Sequence, residues 1–126
     1  MKAQKRVLLS GVEPTLIDFS RVPIPGLNAE KVMGVLNADK AKLSALGYDV
    51  QHCLVDLGAT ATAVVSKTLS ENTFDCILIG AGIRTLPEQF SLFENLINLV
   101  HQSAPSAKLC FNTNPSDTAE AIQRWV

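Results

Sequence analysis

The chain has 126 residues and a mass of 13.6 kDa, enough for one domain with one core and too little for two units of ordinary size. With 47% hydrophobic and 18% charged residues and a mean hydropathy of +0.19, the composition excludes a chain kept unfolded by its own charge. Eleven basic residues against twelve acidic ones leave a net charge of -1, and no basic run forms between Lys2 and Arg124, which argues against a nucleic-acid surface.

Apolar runs such as Val7-Leu8-Leu9 and Ile77-Leu78-Ile79 are far short of the ~20 residues that span a bilayer, so no membrane segment is expected. Lys2, Lys5 and Arg6 precede a short apolar stretch, but Glu13-Pro14 ends it before a secretion signal could form, and a cytoplasmic protein is expected. Cys53, Cys76 and Cys110 each lie inside an apolar run, without CxxC spacing, and suit buried structural thiols.

In chain order, Lys5 to Ser10 is the first predicted strand. The connection Glu13 to Leu27 is long where about two to six residues are usual. Its Leu16, Ile17, Phe19, Val22, Ile24 and Leu27, stiffened by Pro23 and Pro25, suit a lid, an arm laid on a second subunit, or a packed cover for the sheet end. Asn28 to Leu46 is a predicted helix with Asn28 as N-cap and Gly47 just past its end. Asp39 interrupts its apolar face of Val32, Leu36, Leu43 and Leu46, and a buried carboxylate there needs a partner, for which Arg21 is the candidate.

Val50 to Asp56 is the second strand, and the helix Thr60 to Leu69 follows with Ala61, Val64, Val65 and Leu69 on one face. The third strand is Phe74 to Gly80. Pro87-Glu88 opens a third helix that runs to Ser103. Phe90, Phe93, Ile97 and Val100 are expected to face the sheet, while Leu92, Leu96 and Leu99 widen the apolar arc to roughly half the circumference, to be covered by the second helix or a second subunit. Ala107 to Asn112 is the fourth strand. Ser116 or Asp117 caps the last helix, with Glu120 at capping-box spacing from Asp117 and Trp125 as filler beneath that face.

Strands alternating with helices pair in parallel, so residues 1–126 are expected to form one α/β domain, a three-layer doubly wound sheet. The first and third strands are continuously apolar and central, whereas Gln51, His52 and Asp56 on the second and Lys108 and Asn112 on the fourth suit edges, giving the order 2-1-3-4. Right-handed crossovers put the first and last helices on one face and the middle two on the other. Val7, Leu9, Ile77, Ile79, Leu109 and Phe111 are the expected core. Over nearly its whole length the pattern resembles the flavodoxin-like and receiver-like open sheets, with one strand-helix unit fewer than most.

Such sheets bind ligands beyond the carboxyl ends of the strands where the strand order reverses, here between the first and third strands. Ser10, Gly11, Gly80, Ala81, Gly82, Arg84, Asn112 and Asn114 are the candidate ligand-binding residues there, with Asp56, Thr113 and Asp117 nearby. Arg84 is the candidate for an anionic group, a carboxylate or phosphate, and Glu13 for a catalytic proton carrier. His52 in an edge strand and His101 near a helix end are not expected at the site.

Gly80-Ala81-Gly82 lacks the third glycine of a dinucleotide fingerprint, which disfavours NAD, and Ser10, Thr15 and Ser20 are few hydroxyls for an FMN phosphate loop, which leaves FMN as the weaker alternative. A phosphorylatable receiver would need acidic residues where Ser10-Gly11 and Gly80 stand. No P-loop, GxSxG elbow or paired-cysteine metal motif occurs, and no cofactor is expected. Two readings follow: a binding protein or small enzyme for an anionic small molecule, or a non-catalytic module that forms a homodimer or other complex through the helix at 87–103.

Overall fold

The computed structural model describes residues 4–22, 24–58, 60–113 and 115–126. Strands β1 (Arg6–Val12), β2 (Asp49–Val55), β3 (Cys76–Ile79) and β4 (Lys108–Phe111) alternate with helices α1 (Ala29–Ala45), α2 (Ala61–Glu71), α3 (Ala81–Arg84), α4 (Phe90–Ser103) and α5 (Thr118–Gln123). All strand pairs are parallel and the order is β2-β1-β3-β4, a flavodoxin-like three-layer arrangement. No described helix is long and apolar enough to cross a membrane.

Register decides which residues share a face. Leu9 stands beside His52 on β2 and Leu78 on β3, and Leu78 stands beside Cys110 on β4. Neighbours at one level of a parallel sheet project to the same side, and the next residue along each strand projects to the other. Val7, Leu9, Val50, Cys76, Leu78 and Cys110 therefore pack with Leu43 of α1 and with Ala119 and Ile122 of α5. On the opposite face Leu8, Val12, Cys53, Val55, Ile77 and Ile79 pack against α2 and α4. All four residues of β3 are buried, as a central strand covered on both sides requires.

Local chemistry sets the helix ends. The Asn28 side chain accepts the Lys31 amide at the start of α1. At its end Gly47 takes φ = 98°, and Tyr48 N–H returns to the Leu43 carbonyl. The last helix is held differently from the expected cap. Asp117 is its N-cap residue but makes no side-chain cap bond, and its carboxylate accepts from the backbone and hydroxyl of Thr113, closing the loop after β4.

Three packing expectations are corrected. In α4, which begins at Phe90 after a 3-10 turn over Pro87–Gln89, the stripe on the sheet is Leu92, Leu96 and Val100, whereas Phe90 is 63% exposed, because at about 100° per residue it stands about 120° round the helix from Leu96. Phe93, Ile97 and Leu99 are half-buried against the same core as α2, so the wide apolar arc is used within the chain. Trp125 is 54% exposed and fills nothing, since α5 is short and its inward face is met by Ala119, Ala121 and Ile122. Leu109 and Phe111 are half-buried because β4 is an edge. The three cysteines are free and buried, with Cys76 and Cys110 Sγ atoms 3.4 Å apart on adjacent strands.

Asp39 is 8% exposed, and its partner is Thr118 of α5, not Arg21. The guanidinium of Arg21 pairs instead with Glu88. Burial raises the Asp39 pKa, opposed by the Thr118 hydrogen bond and Lys42 and reinforced by Glu120 and Asp117. An acid whose native pKa is raised contributes its full stability below its unfolded value, about 4, and loses it as the pH rises through the native value. Asp39→Asn keeps a carbonyl acceptor for Thr118 and removes the ionisation. The variant should melt above the wild type at pH 7, with the gap closing towards pH 4, as followed by thermal unfolding across that range. A wild type more stable at pH 7 would mean that the charged bond to Thr118 outweighs its burial.

Candidate functional site

The site is built from two glycines. Ser10 and Ile79 are register partners, so Gly11 and the first residue after β3, Gly80, stand side by side. Gly80 N–H donates to the Ser10 carbonyl at 2.9 Å, and a Cβ on Gly80 would meet that oxygen at 3.2 Å, closer than most side chains tolerate. A Cβ on Gly11 would meet nothing within 4 Å. At this level of the α1 face the two central strands carry no side chains, while Leu54 on β2 and Asn112 after β4 flank the gap.

A partly open cavity of about 840 Å³ occupies that space. Its floor is Leu9, Gly11, Leu54 and Leu78, and Val32 and Leu36 of α1 form a wall. The roof is the long connection after β1. That segment folds into two 3-10 turns, Pro14–Leu16 and Phe19–Arg21, whose N-cap carboxylates, Glu13 and Asp18, accept from Thr15 and Ser20. It lays Leu16, Phe19, Val22, Ile24 and Leu27 over the cavity. Apolar lining on this scale is what small-molecule sites usually present.

The sequence-based candidates divide. Ser10, Gly11, Gly80, Ala81, Gly82 and Asn112 line the cavity together. Asn114 lies outside the described residues. Glu13 sits outside the cavity, beside Pro14, Met33 and Gly34 in a neighbouring shallow depression, with its carboxylate on the Thr15 amide and hydroxyl. Arg84 is not part of the lining either. The α3 turn advances about 100° per residue, so Gly82 faces the cavity, Ile83 enters the core and Arg84 swings towards β4. There its guanidinium lies 5.4 Å from the Phe111 ring centroid and Nε donates to the Ile79 carbonyl. Its Nη2 is buried without a partner among the described residues, and burial lowers its pKa against the pull of Asp117.

A directed polar chain braces the closed end. Asn112 Oδ1 accepts the Ala81 N–H at 2.9 Å, its Nδ2 donates to Thr118 Oγ1 at 3.1 Å, and Thr118 bonds Asp39. One amide thereby ties the turn after β3 to α5 and α1. The Ser10 hydroxyl is held by the Leu78 carbonyl. Asp56, expected near the crevice, holds its own turn by accepting from Gly58 N–H and Thr60, which keeps its pKa low.

Two of the lining residues outside the sequence-based set carry buried polar atoms without partners among the described residues. His52 reaches the cavity from β2, and both ring nitrogens are buried without hydrogen-bond partners. Burial and the nearby Lys40 lower its pKa, with the Leu36 carbonyl opposing, so the ring is neutral at pH 7. Gln89 lines the cavity just before α4, is 6% exposed, and its Oε1 is buried without a partner. Among the described residues no three His, Cys, Asp or Glu side chains gather to hold a metal ion. No family model matches the chain, and no curated protein matches it.

The ion pair of Arg21 with Glu88 joins the roof to the segment before α4. Both side chains are about half exposed, and such a pair contributes about 0.2–1 kcal/mol. Arg21→Ala should therefore lower the melting midpoint by no more than about 5 °C while raising amide exchange up to several-fold over residues 16–22. Exchange at wild-type rates would show that the apolar contacts alone hold the roof.

Proposed function

We propose that this chain binds a small organic molecule in the crevice between β1 and β3, beneath the long connection. The observation that carries the reading is the roofed apolar hollow at the carboxyl edge, where doubly wound sheets collect ligands. Leaving so much apolar surface without packing partners forfeits dispersion contacts that a folded chain would otherwise gain. A ligand restores them. Binding is better supported than catalysis, because the Ser10 hydroxyl is already engaged and Glu13 lies outside the cavity.

The anionic group expected from Arg84 is not retained in this reading, since Arg84 lies on Phe111 away from the hollow. A homodimer has less behind it than the sequence suggested, because the apolar arc of α4 is covered by the chain's own core.

Native mass spectrometry of freshly purified protein tests the reading, with Gly11→Leu as control. A leucine at Gly11 enters open space and replaces a glycine in a strand, a change worth roughly 0.5–1 kcal/mol from backbone entropy alone. The expected result is a co-purifying small molecule on the wild type and none on Gly11→Leu, whose melting midpoint is equal or higher. A wild type that neither retains nor is stabilised by any member of a diverse small-molecule library would overturn it.

A further inference from the structure

The lining of the cavity sorts by chemistry across the width of the sheet. At the β2 end stand Leu54 and Leu57, with Val32 and Leu36 of α1, the helix that packs on β2. The roof starts at this end, since Glu13 N–H donates to the Val55 carbonyl at the close of β2, and it comes back here where it leads into α1. Those two stretches contribute Leu16 and Ile24. Leu16, Ile24 and Leu57 are between 40 and 47% exposed, so the hydrocarbon wall continues out to the lip. Apolar surface left in water at a cavity mouth is stabilised by an occupant that covers it.

The β4 end is polar. Asn112 and Thr113 follow β4, Ser116 and Thr118 stand where the chain enters α5, and Thr85 closes α3. Thr85, Thr113 and Ser116 are exposed, which opens this end to water. Four parallel strands span three spacings, about 14 Å at ordinary separation, so the two ends suit opposite ends of one elongated molecule. Gly11 and Gly80 leave the floor clear between them.

Charge on the lining is confined to the exposed residues Asp18, Arg21 and Glu88, with Arg21 paired to Glu88. Two carboxylates against one cation disfavour an anion there, and Arg84 lies on Phe111 outside the cavity.

We propose that the cavity takes a single-chain amphiphile with an uncharged, hydrogen-bonding head, its hydrocarbon chain crossing Gly11 to the β2 end and its head among the hydroxyls of the β4 end. The proposal rests on the small-molecule reading above and narrows its ligand class. A volume of about 840 Å³ falls in the range of sites that hold one such molecule.

Three probes are compared by calorimetric titration below their critical micelle concentrations: monodecanoylglycerol, monooctanoylglycerol and decanoate. The decanoyl compound should bind roughly tenfold tighter than the octanoyl one, from two more buried methylenes, and at least tenfold tighter than decanoate at pH 7. Leu57→Ser and Thr85→Val change exposed positions at the two ends and should each weaken monodecanoylglycerol roughly fivefold. Gly11→Leu should abolish its binding. In the bound state, isotope-filtered NOEs should join the terminal methyl of the chain to Leu54 and Leu57, and the glycerol protons to Thr85 and Thr113.

Decanoate binding as tightly as monodecanoylglycerol, a chain methyl found beside Thr113, or affinity unmoved by both end variants would overturn this ligand class and leave the cavity reading standing. So would failure of all three probes while a member of the small-molecule library binds and is lost in Gly11→Leu. Probe binding indifferent to Gly11→Leu, or no binding by the probes or the library, would overturn both.

Discussion

The approach of Gly80 to the backbone of β1 is the constraint on which the carboxyl edge of this sheet depends. With its amide on the Ser10 carbonyl and a Cβ there crowding that oxygen at 3.2 Å, the chain leaves β3 still paired to β1 and turns at once into α3. Asn112 fixes the next amide, that of Ala81, and so transmits the position of this turn through Thr118 to Asp39 on α1. The turn, the last helix and the first helix are thus held as one polar unit around a space that their side chains do not fill. Rigid edges around an empty centre are the arrangement that lowers the ordering cost of binding.

The same elements explain why folding does not close the space. A hollow between a sheet and its covering helix normally fills with side chains, because interiors pack to crystal-like density. Here the two central strands present Gly11 and Gly80 at one level, and α5 ends after six residues. The roof covers the gap with leucines, isoleucine and phenylalanine, but its own 3-10 turns keep it at the rim instead of letting it sink in. The buried carboxylate of Asp39 and the unpaired His52 and Gln89 mark the places where the chain departs from the most stable choice, and departures of that kind gather at functional sites.

The architecture was legible because it is written in periodicity. Apolar runs at β1 and β3, Asn28 and Gly47 at the ends of α1, and helices between all strands carry the class and the order 2-1-3-4 without reference to distant contacts. The edge of the sheet was legible as a location, and six of the residues named for ligand binding do line the cavity. What was not legible depends on rotation about short elements. Arg84 stands two residues after Gly82, but a single helical turn sends the two in different directions. Arg21 and Asp39 looked like partners by charge, yet Arg21 meets Glu88 across the roof while Asp39 meets a hydroxyl. His52 had a signal that went unused: it shares strand parity with Val50, a core residue on the α1 face, which directs its ring inward. Gln89 had none, since nothing local distinguishes a buried glutamine at a helix start from an exposed one.

The central claim is that the gap left by Gly11 and Gly80 is a real apolar hollow that stays open in the unliganded protein. Xenon enters such cavities and prefers apolar walls, so a crystal structure of the unliganded protein under xenon pressure tests it most directly. The account predicts xenon density between Gly11, Leu54 and Leu36, with the side chains around it where they stand now. A structure in which Leu36 and the roof residues have collapsed onto Gly11, with no xenon at that level of the sheet, would contradict it.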